Sequence, residues 1–133
     1  MLRIKNFDLK KGSDIFRAFS DESRIRILNL IWRNQEMCIS DMELILDFTQ
    51  TKTSRHLSYL KNAGLVKFRK RDQWVYYYIN DSHMDIVTQL FTMLEKDPQL
   101  QQDIQEYRTL YTNNELAIRQ LHIKQNKYKV PSL

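Results

Sequence analysis

Apolar residues recur at three-to-four spacing along most of the chain and alternate with polar ones in one place, which predicts helices around a single hairpin. Ser13 is placed to cap a first helix through about residue 19, with Ile15, Phe16 and Phe19 on one side. After the Ser20-Asp21 break, residues 22–33 carry Ile25, Leu28, Ile31 and Trp32 on one helical face. A short helix follows from a Ser40 cap, with Asp41 and Glu43 against its positive end and Met42, Ile45 and Leu46 inward. Thr49 or Thr51 caps the next helix, whose inward residues are Leu57 and Leu60 and whose natural stop is Gly64.

After Gly64 the period changes. Residues 65–69 alternate apolar and basic, and residues 74–79 are aromatic and β-prone, so the two runs predict a hairpin with its tip at residues 70–73. Asp81 or Ser82 opens a further helix with Ile86, Val87, Leu90, Phe91 and Leu94 on a broad apolar face. Asp97-Pro98 restarts the chain, since aspartate caps and proline suits the first helical position. Beyond it Leu100, Ile104, Tyr107, Tyr111, Asn114, Ile118 and Leu121 repeat like a heptad seam, with Asn114 its one polar member. The expected fold is mainly α with a two-stranded β wing: a winged helix-turn-helix with an extended C-terminal helix. Its organisation reads as an N-terminal arm at 1–12, a DNA-binding and dimerisation domain at 13–96, and a helical extension at 97–133 with a basic, frayed tail.

Charge sharpens this picture. Of 21 basic residues, seven fall within residues 50–71, where there is no acid, leaving 14 basic against 16 acidic elsewhere. The net charge of +5 is thus the product of one window, and a local cationic patch points to a polyanion such as double-stranded DNA. The single cysteine, Cys38, excludes an intrachain disulfide and fits a reducing compartment. No apolar run approaches the ~20 residues that cross a bilayer, and the first dozen residues lack a secretory apolar core. A cytoplasmic protein without a membrane segment is expected. Nothing carries an enzyme: there is no Cys-His pair in motif context, no paired acids in an apolar setting and no glycine-rich phosphate loop.

Three segments carry a resemblance: FRAFSDESRIRIL (16–28), SRHLSYLKNAGLV (54–66) and WVYYYI (74–79). In this order and spacing they resemble the ArsR/SmtB family of bacterial winged-helix repressors, over about half the chain. The resemblance implies a homodimer that binds an operator palindrome and lets go when a metal, metalloid, oxidant or other signal is sensed. Dimerisation would use the first helix and the helix after Asp81; the heptad seam, about which the resemblance says little, either joins them, with Asn114 fixing register, or packs on its own core.

A helix enters the major groove with its first turns against the base edges. Those turns hold Gln50, Thr51, Lys52, Thr53, Ser54, Arg55 and His56, with Lys61 further along for a phosphate. The wing residues Lys67, Arg69, Lys70 and Arg71 would run along the backbone or enter the minor groove. His56 has a bland alternative, packing on its own helix.

Sensing is less complete. Family members that respond to arsenic or heavy metals often carry a run like ELCVCD, where this chain has EMCISD at 36–41, so Cys38 keeps the first thiol and Ser40 replaces the second. A serine hydroxyl does not substitute for a thiolate on a soft metal. Cys38 therefore reads as a structural thiol, a redox sensor or a metal ligand, in that order. A second family site uses Asp-x-His and a later pair; Asp81 and His83 match the first half, but Leu94 and Asp97 stand at the later positions. No cofactor and no resident metal are expected, and the inducer is left open. A second reading, a winged-helix module that contacts protein through the heptad seam, remains beside the repressor.

Overall fold

A computed structural model describes residues 7–127. Helix α1, Leu9–Ala18, starts earlier than its sequence predicts, because the Asp8 side chain accepts the Lys11 amide and caps it. The arm read at 1–12 is therefore helical from Leu9, and residues 1–6 lie outside the described residues. Ile15 and Ala18 turn inward while Phe16, a quarter-turn away, is 63% exposed. Asp21 caps α2, Glu22–Asn34, through the Arg24 amide.

A two-residue strand, β1 at Met37–Cys38, then joins the wing. It is too short to leave a period in the sequence, so the expected two-stranded wing is three-stranded, in the order β1-β3-β2. Strand β3, Trp74–Ile79, lies between β1 and β2, Val66–Arg71, and is antiparallel to both. Arg71 pairs with Trp74, so the tip is the two residues Asp72 and Gln73, with Asp72 at φ 55, and Lys70 and Arg71 belong to the strand.

Helix α3, Ile39–Leu46, is flanked by Cys38 rather than Ser40, which lies inside it. Helix α4, Gln50–Asn62, is capped by Thr49, whose hydroxyl accepts the Lys52 amide at 3.1 Å. It ends on Gly64 at φ 81, with Gly64 N donating to Lys61 O and Leu65 N to Leu60 O, both at 3.0 Å. This pair of bonds is the Schellman stop, which needs a left-handed residue at its centre. Asn80, not Asp81 or Ser82, starts the next element: its side chain accepts the Ser82 amide over a 3-10 turn, Asp81–His83, that leads into α5, Met84–Met93.

The expected single C-terminal helix is two. Helix α6, Pro98–Thr112, begins on the Asp97 cap, and α7 is Ala117–Lys127. Between them Asn114 sits at φ 62, with its amide on Tyr111 O and that of Glu115 on Leu110 O. Asn114 thus closes a second Schellman stop and does not fix register in a seam. The seam itself faces inward: Leu100, Ile104 and Ile118 are buried in the same core as Ile27, Leu60 and Phe91. A surface spent on its own core is not offered to a partner, which removes the basis of the protein-contact reading. The part of the tail beyond residue 127 lies outside the described residues.

Two polar contacts fasten this extension. Arg26 on α2 donates through Nε and Nη2 to both carboxylate oxygens of the buried Asp103 on α6, at 2.9 and 3.0 Å. Asp41 on α3, itself buried, accepts the backbone amides of Ala117 and Ile118 at 2.8 and 2.9 Å. It caps α7, not α3, where sequence alone had it complementing the local dipole.

Candidate nucleic-acid interface

Helix α4 has two faces set by its period of 3.6. Thr53, His56, Leu57 and Leu60 are buried, and Thr51, Arg55, Ser58 and Asn62, spaced four, three and four, share the exposed side. Gln50 is exposed at the first turn and Ser54 is half-buried beside Arg55. Arg24 helps hold the helix from behind, donating to the Ala18 and Arg17 carbonyls while its guanidinium lies 4.0 Å over the Tyr59 ring.

Two residues expected to meet bases are buried on the inner side of α4. Thr53 is fully buried, and its hydroxyl donates to the Thr49 carbonyl at 2.8 Å, closing the first turn. His56 is 7% exposed, and burial holds its pKa below the usual imidazole range, against the opposing pull of the Asp21 carboxylate. It is a packing residue at the α2–α4 junction. In their place the helical period brings out Ser58 and Asn62, which the first-turn argument passes over and a count of four and three from Thr51 recovers.

The basic residues differ in what they touch. Lys61, Lys67 and Lys70 are exposed, Lys61 with its ammonium 5.4 Å from the Phe68 ring. Lys52 rests its ammonium 3.9 Å over the Phe48 ring. Arg69 and Arg71, by contrast, converge on one carboxylate: Glu36 Oε2 lies 2.8 Å from Arg69 Nη2 and 3.4 Å from Arg71 Nη2. Glu36, at the head of EMCISD, is itself buried. The wing's two arginines are therefore held by an internal anion, a feature no local pattern announces.

Of the sensing residues, Cys38 is buried on β1 opposite Tyr76, with its Sγ 3.3 Å from Ser40 Oγ. Burial, aided by the charge of Asp41, pushes its thiol up to about 11. A soft metal requires two or three thiolates, and one protonated thiol beside a serine does not fit it. Asp81 is exposed, while His83 meets Ser82 Oγ through Nδ1 at 3.0 Å and is pushed down in pKa by burial. Among the described residues no three His, Cys, Asp or Glu side chains are grouped to hold a metal ion. His122 is engaged with the Tyr111 hydroxyl at 2.9 Å.

Residues 21–67, from the α2 cap to the start of β2, match the bacterial regulatory proteins of the arsR family. An uncharacterized HTH-type transcriptional regulator of Methanocaldococcus jannaschii is 40% identical over 81 residues, which is 61% of this chain and 91% of that protein. The chain belongs to the arsR family. The cadmium resistance transcriptional regulatory protein CadC of Listeria innocua is 35% identical over 79 residues, 59% of this chain and 66% of its own length. Among solved structures, the homodimeric winged helix-turn-helix domain Mb0332 of Mycobacterium bovis superposes with a TM-score of 0.60 at 21% identity, over 66% of this chain and 82% of that one, which shows the shared fold. This arsR-family chain is thus a winged helix-turn-helix, DNA-binding transcriptional regulator, and α6 and α7 lie outside the segment that the family description matches. No helix among the described residues is long and apolar enough to cross a membrane.

Proposed function

We propose that the protein is a homodimeric repressor that reads an operator palindrome with the exposed side of α4 and holds its flanks with the wing. Gln50, Thr51 and Arg55 face outward at the first turns, with Ser54 beside them and Ser58 and Asn62 behind. Gln suits adenine and Arg suits guanine, each bidentate pair discriminating by about 1–3 kcal/mol. Lys52, Lys61, Lys67 and Lys70 take phosphates, and Arg69 and Arg71 join them when they leave Glu36. The observation that carries the reading is the exposed side of α4, which presents hydroxyl, guanidinium and amide groups inside a 22-residue window free of acids.

Pairing of two copies is supported by apolar residues left outside the core on two helices. Leu9 and Phe16 on α1, and Met84 and Met93 on α5, are exposed. Leu9 and Phe16, seven apart, share one face of α1, and an exposed apolar face marks an interaction surface in a chain whose seam residues are already buried. Release does not run through a soft metal at Cys38, for the chemistry given above.

The test is titration of duplex DNA from just upstream of the protein's own gene, read by fluorescence anisotropy at several salt concentrations. Affinity should fall steeply with salt, and Arg55→Ala combined with Lys52→Ala should weaken it at least tenfold. A double variant that holds the same DNA as tightly as wild type sinks the assignment.

A further inference from the structure

A cleft of about 490 Å³ opens between α2, α5 and α6, on the side of α2 that faces the extension. Asn29, 5% exposed, lines the cleft and makes no side-chain hydrogen bond with any described residue. The amide lines the cleft without a protein partner, so it is available to bond a guest there. Beside it Trp32 and Phe91 stack with ring centroids 5.2 Å apart, and Leu94, Leu100 and Ile104 line the cleft together with Gln101 and Gln105. Arg33, Lys96 and Arg108 also line it, against the single acid Glu95. None of those three cations forms an ion pair with a described residue. The volume is within the range of small-molecule sites, which combine apolar walls with a few placed polar groups.

We propose that this cleft binds a small amphipathic organic anion, an apolar carboxylic acid. Its tail lies along Leu94, Leu100 and Ile104, and its carboxylate meets the Asn29 amide and the Arg33 and Arg108 guanidiniums. The site exists only because α6 folds back over α2, so the extension supplies half of it. Because α2 packs against α4 and α5 carries exposed apolar residues suited to a second copy, occupancy reaches both functional surfaces. This gives the repressor a release signal; only that consequence rests on the DNA-binding reading, and binding of the anion does not.

The chain has two tryptophans, so Trp74→Phe leaves Trp32 as the only reporter, at the cleft, and Trp32→Phe leaves Trp74, at the wing. Octanoate and phenylacetate are titrated into each while tryptophan emission is followed. Saturable change from Trp32 and none from Trp74 is expected, with octanol and octylammonium at least tenfold weaker than octanoate. Arg108→Glu, on an exposed side chain, should weaken octanoate about tenfold through charge reversal, and Asn29→Leu should abolish the response. No saturable Trp32 response, equal response to octylammonium, or indifference to Arg108→Glu overturns the site. In the DNA titration, octanoate should release wild type and spare Arg108→Glu; binding without release overturns the signalling role. Absence of DNA binding before any octanoate is added would count against the repressor reading alone and leave the fluorescence result standing.

Discussion

Asp41 and Ile118 are 77 residues apart in the chain, and the carboxylate of one receives the backbone amide of the other at 2.9 Å. The same carboxylate takes the Ala117 amide, so the start of α7 is capped by a side chain from the helix-turn-helix. Asp41→Ala leaves two helix-end donors unpaired in a buried setting. It should cost roughly 2–4 kcal/mol in urea unfolding, with amides of α7 losing hydrogen-exchange protection first. A change under 0.5 kcal/mol would show that the cap contributes little.

Glu36 holds Arg69 and Arg71 within the wing. Glu36→Gln removes the anion and keeps the shape, freeing both guanidiniums for phosphate. Each added phosphate contact steepens the salt dependence of log K by about 0.9, so the variant should bind duplex DNA more tightly with a slope one to two steeper. A looser complex would mean that Glu36 instead poses the arginines for DNA.

Cys38 is a protonated thiol at neutral pH, pushed up to about 11 by burial. Since the thiolate is the reactive form, iodoacetamide at pH 8 should modify the native protein at least a hundredfold more slowly than the urea-unfolded chain. Cys38→Ser should leave DNA affinity unchanged. Rapid native alkylation would restore Cys38 as a candidate redox sensor.

His56 and His83 are both held below the ordinary imidazole pKa of 6.5 by burial. The unfolded chain therefore takes up protons at a higher pH than the folded one, and stability is lost as pH falls through 6.5 toward the folded values. The unfolding midpoint should drop between pH 7.5 and 5.5, and His56→Gln should flatten part of that drop. The opposite slope in wild type, a midpoint that rises on acidification in this window, would contradict the burial of these rings.

Asn114 closes α6 at φ 62. Asn114→Gly should be tolerated, whereas Asn114→Val should destabilise by about 1–2 kcal/mol, because a β-branched residue fits the left-handed region poorly. Sedimentation should show the same oligomer for both. A shift in oligomeric order with Asn114→Val would return it to an intermolecular seam.

The two helix stops explain what was legible from sequence and what was not. Gly64 announces itself, since glycine between a helical run and an alternating run has few other uses. Asn114 makes the same hydrogen bonds, but it lands on a heptad position, where Asn has a second established role, and the seam reading absorbs it. Helix α4, the wing and the cationic window are local features and readable as such. Their orientation is less so: His56 and Thr53 share the first turns with Arg55, and only the helical phase set by Leu57 and Leu60 turns them inward. Asp41 on α7 and Glu36 on the wing are pairings across long stretches of chain, and no spacing reports them.

Because Asp41 and Asp103 are buried against α7 and α2, the extension is not an appendage that can be trimmed. Cutting the gene after residue 96 to isolate a minimal DNA-binding domain would remove the helices packed on α2 and α3 and leave Arg26 and Asp41 unpaired at the new surface. The smallest piece expected to fold well runs through α7, and library or crystallisation work on shorter pieces should meet aggregation before it meets DNA.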